Sequence, residues 1–191
     1  MNKSIVYLIC LMVLLFVGVT GCGPQDETRT LPYTRYVESY DGARVPVPDH
    51  PKRILALSSA SDTILLGLVE PDRLVGINTL STYEEYSLEA KRAKLVKPAM
   101  SSYPLEKIIA LEPDLVIAPD YTSADVIAGL RHMGIPTVVV PTGTTVESVI
   151  KNVTDIAHIV GEDEKGQFYE QKIRRELEKM KRLGTSIPLN Q

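Results

Sequence analysis

Short apolar runs alternate with segments of helical spacing through the middle of the chain. Four runs have the length and composition of buried parallel strands, at residues 54–57, 73–77, 114–118 and 136–140. Segments whose apolar residues recur every three or four positions lie between and after them, at residues 58–68, 105–111, 123–133 and 145–160. Strands and helices that alternate over short connections form a parallel sheet with helices on both faces. The pattern therefore predicts a Rossmann-like α/β fold.

Two further patterns flank this α/β region. On its N-terminal side, Asp41-Gly42 separates two strand-like segments, which predicts a tight β-hairpin because Gly accepts the positive φ of the turn. On its C-terminal side, Gly161 interrupts the pattern, and residues 163–183 are predicted to form one long, charged helix. Its apolar positions fall on a single stripe: Phe168, Ile173, Leu177 and Met180.

The first 22 residues have a different pattern from the rest. Lys3 precedes an almost wholly apolar stretch, residues 5–19, which ends in the small residues of Val19-Thr20-Gly21-Cys22. The stretch is too short to span a bilayer comfortably and is typical of a signal-peptide core, while its last four residues resemble a bacterial lipobox. We expect a lipoprotein signal peptide at residues 1–21, lipidation of Cys22, and a flexible tether at residues 22–35. A plain N-terminal membrane helix with a chance cysteine is the alternative.

Cysteine usage agrees with an extracytoplasmic location. Cys10 lies inside the signal core and is expected to be lost on cleavage, which leaves Cys22 as the one cysteine of the mature chain. A lone thiol is a liability in a secreted protein, and acylation removes it. We therefore expect the mature chain to be anchored on the outer side of the cell membrane through lipidated Cys22.

Charge and motifs exclude several classes of function. The chain has 21 basic and 24 acidic side chains and no basic block, so nucleic acid is not an expected partner. It has neither G-x-G-x-x-G nor a P-loop, and Ser58 and Ser59 lack the flanking glycines of a hydrolase nucleophile elbow. Its three histidines are scattered, without metal-ligand spacing. We expect no enzyme, no cofactor and no directly bound metal.

Several segments of the α/β region together carry a more specific signal. They are residues 50–57 (HPKRILAL) with 72–76 (DRLVG), then 104–118 (PLEKIIALEPDLVIA), then 134–138 (GIPTV) followed by Gly161. In this order and spacing they resemble the ABC-transporter periplasmic substrate-binding proteins for iron–siderophores, haem and cobalamin. The resemblance covers about residues 36–183, and the segments are specific in combination rather than singly.

The resemblance implies two α/β lobes joined by one rigid helix, with ligand held in the cleft between them. Residues 36–160 would be the N-terminal lobe, residues 161–183 the connecting helix, and residues 184–191 a short tail. A second lobe is expected to be missing, since it would need about a hundred further residues. The chain is thus interpreted as one lobe of a two-lobe binding protein.

Candidate ligand-binding residues follow from the strand ends. In open parallel sheets, ligands collect at the carboxyl ends of strands, where loops and helix N-termini converge. Tyrosine rings there could lie flat against a macrocycle or catecholate, and hydroxyls could bond its polar edge. The alternative is that the hydroxyls are caps and the tyrosines ordinary surface residues. The candidates are Ser59, Ser61, Tyr83, Tyr86, Tyr103, Tyr121, Thr122 and Thr142.

The resemblance also implies a carboxylate that docks onto the transporter, early in the first helix of the lobe. The position that matches it is Thr63, so only neighbouring Asp62 could substitute, with Glu70 and Asp72 as other acidic candidates. A charge that complements the helix dipole is the other interpretation of Asp62.

The leading hypothesis for function is a lipid-anchored solute-binding component of an ABC importer. Its expected partners are a chelated metal, as ferric siderophore, haem or cobalamin, and the membrane subunits of the transporter. The alternatives are a stand-alone interaction lipoprotein or a nonfunctional remnant that has lost transport.

Overall fold

The computed structural model describes residues 35–186, and its regular elements follow the predicted order. The strands are β1 (Arg35–Glu38), β2 (Arg44–Val47), β3 (Ile54–Ala56), β4 (Ile77–Asn78), β5 (Ala99–Met100), β6 (Leu115–Pro119) and β7 (Thr137–Val140). The α-helices are α1 (Ser59–Leu68), α2 (Ala90–Ala93), α3 (Leu105–Ala110), α4 (Ala124–His132), α5 (Val146–Val160) and α6 (Asp163–Ser186). Two 3₁₀ helices cover Pro71–Arg73 and Thr79–Thr82.

The central sheet is parallel, with strand order β3-β6-β7. Every residue of these three strands is buried, as expected for strands covered on both faces. β4 and β5 form a second parallel pair. A parallel bridge from Ile54 to Leu74 ties the segment before β4 to β3. These contacts confirm the Rossmann-like α/β architecture.

Alternate strand residues face opposite layers of helices. Ile54 and Ala56 pack in one cluster with side chains of α1 and α5, including Leu65 and Ile156. Leu55 instead packs in the other cluster, whose members from α3 and α4 are Ile108 and Leu130. The period of two along β3 thus places helices on both faces of the sheet, as predicted.

The helix boundaries are set by capping residues. Ser58 and Ser123 accept from the backbone N–H three residues on, which begins α1 and α4. Thr145 and Ser148 form a reciprocal capping box at the start of α5. Gly161 ends α5 with φ of 76°, a left-handed conformation that favours glycine.

One predicted strand is displaced. The apolar pattern predicts a strand at residues 73–77, whereas the structure has a 3₁₀ helix at Pro71–Arg73, a single bridge at Leu74, and β4 at Ile77–Asn78. Pro71 at the first position of the 3₁₀ helix favours the helical turn. The extended conformation therefore begins later in the chain than predicted.

The hairpin and the last helix frame the sheet. β1 and β2 pair in antiparallel fashion around Asp41-Gly42, with φ of 82° at Gly42. The Tyr40 N–H donates to the Val139 carbonyl at 3.0 Å, so the hairpin covers the outer edge of β7. α6 packs against α5 near its start, where Gly166 lies so close to Ala157 that a Cβ at Gly166 would come within 2.5 Å of the Ala157 Cβ. No helix within residues 35–186 is both long and apolar enough to cross a membrane.

Candidate functional site

The loops that follow β3 to β7 lie at one edge of the fold, because all five strands belong to parallel pairings. We call this edge the rim and define it by residues 57–62, 79–87, 101–104, 120–123 and 141–145. All eight predicted ligand-binding residues lie on it. The structure connects their loops into two hydrogen-bonded groups, one around Asp62 and one around Asp120.

The predicted tyrosines differ in exposure. Tyr83 and Tyr86 are exposed and form an edge-to-face pair with ring centroids 6.5 Å apart. Tyr121 is 71% exposed at the end of β6. Tyr103 is half-buried against the hydrophobic cluster that contains Leu57. Three rings are therefore open to a ligand, while the fourth is set into the lobe.

The predicted hydroxyl residues have unequal access to the rim surface. Ser61 is buried, and its hydroxyl accepts from the Ser58 hydroxyl at 3.0 Å, next to the N-terminus of α1. Ser59 and Thr122 are half-buried. Thr142 is exposed. The capping interpretation thus describes the Ser58–Ser61 pair, whereas Thr142 is open to solvent.

Asp120 joins the loops after β6 and β7. Its carboxylate accepts from the Thr142 hydroxyl at 2.6 Å and from the Thr142 backbone N–H at 3.1 Å. These bonds, the hydroxyl bond first, lower the pKa of Asp120. The sequence interpretation did not single out Asp120, although an acidic residue directly after a buried strand is a recognisable signal. It holds Thr142 beside the loop that carries Tyr121.

Asp62 is the centre of the other group, and it is fully buried. Its Oδ2 accepts from the Asn78 backbone N–H at 2.7 Å and from the Ser81 hydroxyl at 2.9 Å. Its Oδ1 has no hydrogen-bond partner. Burial raises the pKa of Asp62 to about 7, against the smaller effect of the two hydrogen bonds.

This position of Asp62 does not support the predicted role in transporter docking. A carboxylate inside the lobe cannot reach an arginine of another protein. It instead holds the Thr79–Thr82 turn against the start of α1. The other acidic candidates, Glu70 and Asp72, are exposed, and Glu70 lies 3.2 Å from Arg92.

Tyr103 approaches the same group from the loop after β5. Its hydroxyl is buried and lacks a partner within hydrogen-bonding geometry. Burial, and after it the charge of Asp62, raise the pKa of Tyr103, whereas the nearby Asn78 side chain lowers it. Tyr103, Asn78 and Asp62 therefore meet behind the rim surface.

Two grooves of the described chain lie away from the centre of the rim. A groove of about 540 Å³ runs between β1 and the outer edge of β7, lined by Tyr36, Tyr40, Lys151 and His158 among others. An apolar groove of about 270 Å³ lies between α1 and α6. Within residues 35–186 no three His, Cys, Asp or Glu side chains are grouped to hold a metal ion.

Comparisons with known proteins agree on one family. A family model described as periplasmic binding protein matches residues 54–186. A Bacillus subtilis (strain 168) protein named YvrC, an uncharacterized ABC transporter substrate-binding lipoprotein, is 27% identical over 188 residues, which are 92% of this chain and 58% of YvrC. A vitamin B12-binding protein of Vibrio campbellii is 31% identical over 134 residues, which are 68% of this chain and 46% of that protein.

A solved structure shares the fold. The periplasmic solute binding protein of Veillonella parvula superposes with a TM-score of 0.67 at 22% identity, over 81% of this chain and 50% of that chain. The chain thus spans about half the length of the proteins that it matches. The predicted fold class, one α/β lobe followed by a long helix, is confirmed.

Proposed function

Since the chain belongs to the periplasmic binding protein family, we propose that it is the solute-binding component of an ABC importer, and that its ligand is a large metal chelate such as cobalamin, a ferric siderophore or haem. The family is one of binding proteins, which confirms the prediction that the chain is not an enzyme. The observation that carries the proposal is the rim, where exposed tyrosines lie on the converging ends of parallel strands.

The chemistry of the rim suits a broad, planar or polycyclic ligand. Tyr83, Tyr86 and Tyr121 offer apolar faces with polar tips on an open surface. The hydroxyls of Ser59, Thr122 and Thr142 add polar groups for the edge of the ligand, and buried Ser61 lies behind them, bonded to the cap residue Ser58. A metal would arrive already chelated, because the described residues offer no metal-ligand cluster. The relative named for vitamin B12 makes cobalamin the first ligand to test.

Anchoring and docking belong to the same proposal. Cys22 lies outside the described residues, and its lipidation is supported by the lipobox-like sequence and by the name of the lipoprotein YvrC. For docking onto the transporter we propose the exposed acids Glu70 and Asp72, at the C-terminal end of α1, in place of buried Asp62. Cys22→Ser should move the chain from the membrane fraction to the soluble fraction and remove the lipid mass from its N-terminal peptide.

Isothermal titration calorimetry of the purified chain with cyanocobalamin, a ferric hydroxamate and haemin tests the ligand. We expect saturable binding of at least one of them. The double variant Tyr83→Ala/Tyr86→Ala should weaken that binding at least tenfold, because stacking of a nucleic-acid base on an aromatic side chain contributes about 1–3 kcal/mol and a flat macrocycle offers a similar face. Tyr40→Ala, an exposed tyrosine in the hairpin turn, is the control. Equal binding by both variants, or no binding of any probe, would contradict the proposal.

A further inference from the structure

Two buried polar atoms behind the rim lack partners, and they are chemically complementary. One is Asp62 Oδ1, which accepts a hydrogen bond when the carboxyl is ionised and donates one when it is protonated. The other is the hydroxyl of Tyr103, which can donate or accept. Buried polar groups in folded proteins nearly always have a partner, so an orphaned pair needs an explanation.

Asn78 lies beside both Asp62 and Tyr103. The Asn78 backbone N–H donates to Asp62 Oδ2, and its side chain lies beside the Tyr103 hydroxyl. In the β4–β5 pairing, Asn78 is opposite Met100, three residues before Tyr103. Burial, and after it the charge of Asp62, raise the pKa of the Tyr103 phenol. The loops after β4 and β5 therefore meet at the N-terminal turn of α1.

We propose that Asp62 is the positioning residue of the rim: through Oδ2 it fixes the turn that leads to Tyr83, and through Oδ1 it forms a hydrogen bond with Tyr103 when ligand covers the rim. This inference rests on the proposed function, because a ligand on the rim would cover the Tyr103 ring and press it toward Asp62. A ligand on the rim also excludes water, which strengthens a hydrogen bond to a buried carboxyl. The bond orients the ring that lies deepest beneath the ligand.

Of the two proposed roles of Asp62, the one that fixes the turn through Oδ2 is already present in the structure without ligand. Asp62 Oδ2 accepts from both Asn78 and Ser81, and the Thr63 hydroxyl lies 3.2 Å from the Ser87 hydroxyl at the far end of the same loop. Tyr83 and Tyr86 lie between these two attachments. The loop that displays the exposed tyrosine pair is thus held to α1 at both ends.

The variants Tyr103→Phe, Asp62→Asn and Asp62→Ala separate the two bonds. Tyr103→Phe removes only the hydroxyl, and we expect affinity for the probe that binds (cyanocobalamin, a ferric hydroxamate or haemin) to fall about tenfold with the thermal midpoint unchanged. Asp62→Asn keeps a carbonyl acceptor for Asn78 and a partner for Tyr103, so its affinity should stay within about threefold of wild type. Asp62→Ala loses both the acceptor for Asn78 and the partner for Tyr103, so its affinity should fall. If this variant fails to fold, Ser81→Ala tests the Oδ2 contact instead. Tyr40→Phe is the matched control.

A spectroscopic signal reports the new bond directly. In ¹³Cζ-tyrosine NMR spectra, the resonance missing from Tyr103→Phe identifies Tyr103, and it should shift on saturation with the probe in wild type but not in Asp62→Ala. Unchanged affinity of Tyr103→Phe would overturn the proposal. So would a Tyr103 resonance whose chemical shift does not change when the probe is added.

Failure of the proposed function gives a different result. If no probe binds, the proposed ligand-linked bond between Asp62 and Tyr103 is overturned as well. Hydrogen exchange of the Asn78 amide then tests the other part of the proposal, that Asp62 Oδ2 fixes the turn. Faster exchange in Asp62→Ala than in wild type and Asp62→Asn supports the fixed turn, whereas equal exchange in all three overturns it.

Discussion

The two edges of the parallel sheet are built from different chemistry. Where the strands begin, charged side chains and backbone groups satisfy one another. Arg53 donates to the carbonyls of Glu112 and Leu111, and Asp114 accepts from the backbone N–H groups of Lys52 and Arg53. Where the strands end, rings and hydroxyls are exposed, and two buried polar atoms have no partner.

The beginning edge is also where α5 ends. Arg73 donates to the carbonyls of Pro51 and Val160 and to Glu162, and Arg35 donates to the carbonyls of Pro48, His158 and Ile159. Arginine side chains there bond carbonyls of the last turn of α5, and the His158 carbonyl also accepts from the Gly161 N–H. One edge of the fold is thus bonded largely within itself, with Arg35 Nε as an exception that lacks a hydrogen-bond partner, whereas the other edge exposes the rings and hydroxyls that the proposed binding surface would use.

The largest test of this comparison is the pH dependence of stability. The pKa of Asp62 rises from an unfolded value near 3.8 to about 7 in the fold. The folded state therefore binds the proton more tightly, so the contribution of Asp62 is fully present below about pH 4 and is lost as pH rises through 7. The shift corresponds to about 4 kcal/mol. Urea unfolding between pH 4 and 8 should show this decline.

Asp62→Asn removes the titration while keeping an acceptor. Its free energy of unfolding should vary little over the same range and exceed that of wild type at pH 8. Asp41 does not interfere, because its salt bridge with Arg131 lowers its pKa to about 2, so its stabilisation is lost only as pH falls below about 4. An identical decline in wild type and Asp62→Asn would place the titrating group elsewhere.

The beginning edge should be the less tolerant of added volume. Gly161 has φ of 76°, and a Cβ there would clash with the Asp49 carbonyl oxygen. We expect Gly161→Ala to lower the free energy of unfolding by about 3 kcal/mol. Gly134→Ala is matched in backbone conformation, with φ of 75°, but has open space around its Cβ position, so it should lose only about 1 kcal/mol. Equal losses in urea denaturation would show that packing at Asp49 is irrelevant.

Removing one arginine from the beginning edge should have an intermediate effect. Arg73→Met keeps the aliphatic stem but leaves two carbonyls and the half-buried Glu162 without that donor. The expected loss is about 2 kcal/mol, measured as a shift of the urea midpoint. Arg174→Met is the control, since its bonds to Glu147 and Glu170 are exposed. A loss no greater than that of Arg174→Met would remove Arg73 from the stabilising network.

The smallest effect on stability is expected at the rim. Tyr83→Ala removes an exposed ring whose aromatic neighbour is Tyr86, which is also exposed. The free energy of unfolding should change by no more than about 0.5 kcal/mol, although ligand affinity should fall. A loss comparable to that of Arg73→Met would show that the rim tyrosines are structural, and the two edges would no longer differ.

The sequence predicts the parts of this fold that depend on local pattern. The buried runs at β3, β6 and β7 are short, apolar and bounded by turn residues, and Ser58, Ser123 and Thr145 act as caps where hydroxyl side chains precede helical spacing. Gly161 ends α5 as its position suggests. The rim follows from these elements, since the ends of parallel strands share an edge.

The interior of the rim depends on contacts between distant residues, which a local pattern does not encode. Asp62 is buried because the turn 16 to 19 residues later folds over it. β4 and β5 have two residues each, too few to show a period. The docking interpretation of Asp62 failed to anticipate this, because a polar residue in a helical first turn is usually exposed.

The junction at Gly161 also has a mechanical consequence. α6 has 24 residues, which corresponds to a length of about 36 Å. A tilt of about 5° at its base would swing the far end by about 3 Å, given that length. Glu162 forms ion pairs with both Arg73 and Lys165. Gly166 packs so closely against Ala157 that no side chain would fit between α5 and α6 at this point. Contacts within the first turn of α6 thus fix the direction of the whole helix. A methyl group added at position 161 would change that direction.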